Sequence, residues 1–239
     1  MNKKIIIIGS SGGIGKSFAD YYALQDSSNS IYTLSRKKDD IKLDNITHIP
    51  IDIEDEESIS NESKQCGEAG SFDKIVVCTG LLHSDVLKPE KSLRDLDRDS
   101  LLKIFSINTI GPTLIGKYFI PLLKKASPSI LSFLSARVGS ISDNRIGGWY
   151  SYRASKAALN MIIKTLSIEV ARNNKNAMII GLHPGTVDTN LSKPFQGNVS
   201  NDKLFTPEYS ISKMVEVMNN LSPDDSGNCF AWDGKRIEF

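Results

Sequence analysis

Apolar residues in this chain gather in short, β-branched runs separated by longer stretches of helical periodicity. Runs at Lys4–Ile8, Ile31–Leu34, Thr47–Ile51, Lys74–Cys78, Ser129–Leu134, Ala177–Leu182 and Cys229–Trp232 predict strands. Several are continuous rather than alternating, as strands covered on both faces require. Between them, Gly13–Leu24 places Ile14, Phe18, Tyr21 and Tyr22 on one helical face. Leu101–Lys125, Tyr150–Asn173 and Pro207–Asn219 predict further helices. Gly111-Pro112 predicts a kink in the first of these. Thr206 before Pro207 forms a suitable N-cap and first-residue pair. Strand–helix–strand alternation argues for a parallel sheet with helices on both faces. No composition break divides the 239 residues, so one domain is expected. Segment 190–206, with Pro194, Gly197, Asn198 and Asn201, predicts a long loop, a length that marks a lid or a partly disordered segment.

Charge and cysteine content narrow the partners. Lys and Arg total 29 against 28 Asp and Glu, which excludes a globally basic nucleic-acid binder and an acidic solvating tail. Cys66, Cys78 and Cys229 lack the spacing of a zinc site or a disulfide framework, so reduced thiols and a cytoplasmic location are expected. The apolar run Ile5–Ile8 is shorter than the roughly 7–15 residues of a secretory core segment. No run approaches the roughly 18 apolar residues of a membrane span. The acidic patch Glu54–Glu57 reads as the solvated start of a helix. His48, His83 and His183 read as structural, and no His–Cys–Glu grouping supports a metal.

The first run leads directly into Gly9-Ser10-Ser11-Gly12-Gly13-Ile14-Gly15-Lys16. A buried strand, a glycine-rich turn and an amphipathic helix form the layout that cradles a dinucleotide. Glycines let the backbone approach a pyrophosphate, and the helix start offers free N–H groups and its positive end. Gly9, Ser11, Gly13, Ile14 and Gly15 are the candidate contacts. Dinucleotide folds that use NAD place a carboxylate at the end of the second strand, about 20 residues on. Here that strand ends in Ser35-Arg36-Lys37-Lys38. Guanidinium pairs with a 2′-phosphate where a carboxylate would repel it. Arg36, with Ser35 and Lys37 beside it, therefore argues for NADP(H).

Tyr152-Arg153-Ala154-Ser155-Lys156 puts a phenol and an ammonium on one helical face. A phenol with pKa near about 10 is a poor acid at neutral pH, and a cation one turn away favours its ionised form. Tyr150 has no lysine four residues on, so Tyr152 is the candidate acid and base.

Taken in order, these segments resemble the classical short-chain dehydrogenase/reductase family, whose first turn reads T-G-x-x-x-G-x-G. Ile8 stands where that family usually has threonine, and Gly12 where many NADP-preferring relatives carry a basic residue. The stretch Gly139–Lys156 and the ending Cys229-Phe230-Ala231-Trp232-Asp233-Gly234 look like the sniffer/C-factor branch of carbonyl reductase-like members. The resemblance implies that Asp52 and Ile53 lie near the adenine. It implies that Gly80, which survives from the family's N-N-A-G as Val77-Cys78-Thr79-Gly80, contacts the cofactor. His183-Pro184-Gly185-Thr186-Val187-Asp188-Thr189 matches its P-G-x-V-x-T. Pro184 and Gly185 would then pass the nicotinamide end, Val187 would contact the carboxamide through its backbone, and Thr189 would bind nearby phosphate. Asn108 matches the family asparagine associated with a helix distortion and a water-linked proton relay to the lysine. The family's carbonyl-binding serine sits three residues before a glycine. Counting back from Gly139 gives Ala136, one residue beyond Ser135. A slip at the strand end would restore Ser135, which is taken as the polarising hydroxyl, with Ser140 next.

The expected fold is therefore α/β, a Rossmann-type doubly wound parallel sheet of about seven strands. The expected reaction is hydride transfer between NADP(H) and a small-molecule carbonyl or alcohol, with Tyr152, Lys156, Ser135 and Asn108 catalytic. Family resemblance adds a homodimer or homotetramer through the two long helices. The alternative is an NADP(H)-binding sensor or signalling protein with little turnover, motivated by the off-register serine.

Overall fold

A computed structural model describes residues 2–37 and 43–239. Lys38, quoted above beside Arg36, lies outside the described residues. Among the described residues, ten strands and six α-helices follow one another as β1 (Lys4–Ile8), α1 (Gly13–Gln25), β2 (Ser30–Ser35), β3 (Ile46–Pro50), α2 (Glu56–Glu68), β4 (Lys74–Val77), α3 (Arg98–Phe105), α4 (Gly111–Phe119), β5 (Ser129–Leu134), α5 (Tyr150–Val170), β6 (Ala177–His183), β7 (Thr186–Val187), β8 (Leu204–Phe205), α6 (Pro207–Asn220), β9 (Cys229–Ala231) and β10 (Arg236–Ile237). Eight strands form one sheet in the order β10-β9-β6-β5-β4-β1-β2-β3. All neighbours are parallel except the β9–β10 pair at the edge. The doubly wound α/β expectation holds, with one strand more than expected. That strand, β10, is two residues long with one exposed position, too short for a periodic signal.

Successive side chains of a strand point to opposite faces, and β1 shows why its run is unbroken. Ile6 and Ile8 pack with Ile59 of α2, Phe119 of α4 and Ile163 of α5. Ile5 and Ile7 pack with Phe18 and Tyr22 of α1 and Met214 of α6. Each face thus needs its own apolar row. β1 lies between β2 and β4, so the chain direction across the sheet reverses there. A crevice outside the strand ends at such a reversal is where open α/β sheets bind ligands.

The predicted acidic patch is indeed a helix start: Asp55 accepts the Glu57 N–H and caps α2. The helix predicted as Leu101–Lys125 begins at Arg98, capped by the Asp97 carboxylate. It is interrupted by a π turn at Ser106–Ile110, immediately before Gly111-Pro112. Segment 190–206 holds two 3₁₀ turns and ends in β8, which pairs with β7 as a separate two-stranded ribbon. Among the described residues no helix is long and apolar enough to cross a membrane.

Candidate functional site

The turn after β1 is held by close backbone approach. Gly9 has φ +84, and a Cβ there would lie 3.1 Å from the Cys78 carbonyl carbon at the end of β4. A Cβ on Gly15 would lie 2.2 Å from the Gly9 oxygen, closer than any atom can come. The first hydrogen bond of α1 runs from Lys16 N–H to Gly12 O. The N–H groups of Gly13, Ile14 and Gly15 therefore precede the helical ladder and have no carbonyl one turn back to meet. Ser10 Oγ is buried with no hydrogen-bond partner among the described residues. Bare N–H groups, a steric cradle and an orphaned hydroxyl at one turn suit a bound pyrophosphate.

From this turn a groove of about 230 Å³ runs outward past Ser11, Ser35, Arg36, Asp52, Ile53 and Gly80. Arg36 is exposed at its rim. The Ser35 hydroxyl donates to Lys37 O at 2.6 Å. Asp52 accepts the Glu54 N–H through its carboxylate. Ser35, Arg36, Asp52, Ile53 and Gly80 thus line one groove together with Gly9 of the turn, while Gly13 and Gly15 are not in its lining.

A second cavity, of about 340 Å³, opens on the other side of the turn. Ile14 of α1, Ser135 and Ala136 after β5, Tyr152 of α5, and Pro184, Gly185, Val187 and Thr189 after β6 line it. A Cβ on Gly13 would meet the Thr189 side chain at 2.9 Å, so α1 and this segment close against each other. Leu191, Phe195 and Val199 of segment 190–206 complete the wall. Among the described residues the lining carries no Asp, Glu, Lys or Arg. The one imidazole, His183, is pushed down to about 4 by burial and by nearby Arg137, and stays neutral.

Tyr152 and Lys156 are buried side by side, with the Lys156 Nζ 5.8 Å from the phenol ring centre. Burial pushes the Tyr152 phenol up to about 12 and the Lys156 ammonium down to about 8, since each loses water that would stabilise its charge. Lys156 Nζ donates to Leu134 O at 2.8 Å. A Cβ on Gly80 would stand 3.6 Å from that nitrogen and 3.7 Å from Asn108 Oδ1, so Lys156 lies between Gly80 of the groove and Tyr152 of the cavity. Asn108 sits in the π turn and is wholly buried. Its Oδ1 accepts the Leu81 N–H, and its Nδ2 donates to Leu81 O and to Ser155 Oγ. The helix distortion expected at Asn108 is present, and it lets one carboxamide tie the chain after β4 to α5.

Ser135 lines the cavity, with its hydroxyl engaged by a neighbour. The Ser135 hydroxyl has one proton, and it donates to Asn160 Oδ1 at 2.6 Å. No slip occurs: Ala136 keeps φ −151 and ψ 147, so strand alternation runs through it. The Ala136 methyl packs with Leu82 and Tyr152 where a carbonyl-binding hydroxyl would stand. Ser140 bonds to Ser142 and Asp143 and does not line the cavity.

Two features escaped the sequence. Trp149 adopts φ +51, preceded by Gly147 and Gly148 at +68 and +65. The left-handed region costs a non-glycine residue roughly 1–2 kcal/mol. It turns the indole over Tyr152 and Phe195, with ring centres 6.2 Å and 5.0 Å away. Glu90, 61 residues from its partner in sequence, is buried against Ser151. A pair of adjacent glycines before a tryptophan hints at the first; nothing local hints at the second.

Residues 3–199 match the family described as short chain dehydrogenase. The chain belongs to that family. A short-chain dehydrogenase relative, 1-hydroxy-2-glutathionyl-2-methyl-3-butene dehydrogenase of Rhodococcus sp. (strain AD45), is 30% identical over 79% of this chain and 78% of its own. C-signal of Myxococcus xanthus is 30% identical over 62% of this chain and 84% of its own. Among solved structures, NADPH-bound carbonyl reductase from chicken fatty liver superimposes with TM-score 0.85 at 24% identity, covering 100% of this chain and 99% of that one. Carbonyl reductase Sniffer of D. melanogaster gives TM-score 0.85 at 21% identity over the full length of both. At those identities the two structures are likenesses of fold, and they include the Sniffer protein that the finer resemblance named.

Proposed function

We propose that this short-chain dehydrogenase family member is an NADP(H)-dependent carbonyl reductase or alcohol dehydrogenase. One observation carries the reading: a phenol and an ammonium are buried together between the groove that opens from the glycine turn and an uncharged cavity. The fold likeness to an NADPH-bound carbonyl reductase supports it. Gly9, Ser11, Gly13, Ile14 and Gly15 would hold the pyrophosphate, and Arg36 with Ser35 the 2′-phosphate. Asp52 and Ile53 would hold the adenine half, Gly80 would contact the cofactor through its backbone, and Pro184, Gly185, Val187 and Thr189 would hold the nicotinamide half. When bound, NADP(H) supplies hydride chemistry.

Tyr152 gives its proton to the carbonyl oxygen as that oxygen gains charge. Burial keeps the phenol protonated at neutral pH but makes it a weaker acid than the free group, the reverse of the shift expected from Lys156, so proton donation depends on the neighbouring ammonium. Lys156 stabilises the phenolate that remains, and Asn108 takes part in returning the proton from solvent. Ser135 anchors Asn160 rather than the substrate. Segment 190–206 acts as a lid on a single domain. The exposed Ile110, Met161 and Ile168 suit a homodimer or homotetramer, and the three free thiols suit the cytoplasm.

The test is reduction of benzaldehyde, acetophenone and 1,4-naphthoquinone with NADPH, beside titrations with NADPH and NADH. Tyr152→Phe should abolish turnover while the NADPH dissociation constant stays within about twofold of wild type, a loss of at least about a hundredfold in kcat. Turnover retained by Tyr152→Phe refutes the assignment, and preference for NADH refutes the role of Arg36. The Ala136 methyl favours a second reading, an NADP(H)-binding sensor with little turnover. Binding without reduction across the panel would establish it.

A further inference from the structure

Helix α5 carries Tyr152 and Lys156, yet nothing local secures its start. Trp149 at the N-cap position makes no side-chain cap, and the first turn holds no acidic residue. The missing acceptor arrives from the loop after β4. Glu90 O accepts the Trp149 N–H at 2.5 Å. One carboxylate oxygen of Glu90 accepts the Ser151 hydroxyl, and the other accepts the Ser151 N–H at 3.3 Å. Glu90 is 2% exposed, so water does not compete for these bonds. A negative group at a helix N-terminus also meets the positive end of the helix dipole.

The attachment fixes two walls of the cavity at once. Held from behind, Trp149 keeps its left-handed backbone and leans its indole on the Tyr152 ring and on Phe195. Tyr152 follows Ser151 directly, in the turn that the carboxylate clamps. We propose that Glu90 is a positioning residue, which sets Trp149 and the first turn of α5 so that the Tyr152 phenol meets the substrate carbonyl. The proposal rests on the reading of Tyr152 given above.

The experiment compares Glu90→Ala, Glu90→Gln and Glu90→Asp with wild type and Tyr152→Phe, using whichever of the three carbonyl probes wild type reduces fastest. A misplaced phenol should lower kcat by about tenfold to a hundredfold in Glu90→Ala, with the NADPH dissociation constant unchanged. Glutamine can accept the Ser151 N–H and donate to its hydroxyl, so Glu90→Gln should recover most of kcat. Aspartate keeps the charge but is one methylene short, so Glu90→Asp should stay slow. Should Glu90→Ala fail to fold, the contrast between Gln and Asp decides. In a Trp232→Phe background, Trp149 emission should shift to the red in the Ala and Asp variants and not in Gln. Wild-type kcat in Glu90→Ala, a fast Asp variant beside a slow Gln variant, or unshifted Trp149 emission would overturn the proposal. If Tyr152→Phe itself keeps turning over, or no probe is reduced, the reading of the site fails instead.

Discussion

Under the proposed function, a single oxygen atom at position 136 separates this chain from the family's carbonyl-binding pattern. The Ala136 methyl faces Tyr152, while the hydroxyl one residue earlier is spent on Asn160. Counting back from Gly139 already reaches Ala136 in the sequence. The slip that would have brought Ser135 into place requires a non-extended residue at the strand end, and the backbone there is extended. Ala136→Ser should therefore add a second donor to the carbonyl oxygen and raise kcat by about tenfold, well inside the hundredfold that one such donor can supply. Ser135→Ala should cost less than about threefold. Steady-state kinetics on both variants decide, and the opposite pattern would return the polarising role to Ser135.

Elements differ in how plainly the chain announces them. β1, its turn and α1 are contiguous over residues 4–25, and their apolar and glycine pattern is unbroken there, so pattern alone exposes them. The interruption at Asn108 was legible because Thr109 and Gly111-Pro112 crowd it with residues poorly suited to a helix. The start of α5 at Tyr150 was legible too, but what holds it was not, because its acceptor lies 61 residues away and only the fold brings the two together. The glycine turn offers a test of whether its geometry binds the cofactor. A Cβ at Gly15 would overlap the Gly9 backbone oxygen at 2.2 Å, and neither atom belongs to a flexible side chain. At Gly12, with φ −82, the same atom would sit 3.5 Å from that oxygen, an ordinary contact. Gly15→Ala should destabilise the chain by roughly 1–3 kcal/mol and weaken NADPH binding at least about a hundredfold. Gly12→Ala should unfold at the wild-type denaturant midpoint. Equal behaviour of the two would show that close packing at the turn is not what the cofactor uses.

Across the whole molecule the buried ionisable groups pull stability in two directions as pH rises. Lys74 and Lys156 are pushed down to about 8 by burial, from the ordinary 10.5. Above about pH 8 the folded chain has released protons that the unfolded chain still holds, so stability rises with pH there. Burial acts oppositely on Cys66 and Cys229, raised to about 12 from 9.0, and on Cys78, raised further. Tyr152 and Tyr22 are likewise raised from 10.0. Once the unfolded chain's thiols and phenols ionise, the folded chain holds more protons and stability falls. Between about pH 8 and 9 the two lysines outweigh the thiols, and above about pH 9 the three thiols and two phenols outweigh the lysines. Urea midpoints measured from pH 7 to 10.5 under reducing conditions should therefore rise to a maximum near about pH 9 and then decline. Lys156→Met should raise the midpoint at pH 7 and flatten the ascending limb, because it removes a charge that the interior disfavours. A midpoint that falls steadily from pH 7 would mean that neither lysine is buried as an ammonium, and the electrostatics argued for Tyr152 would fall with it.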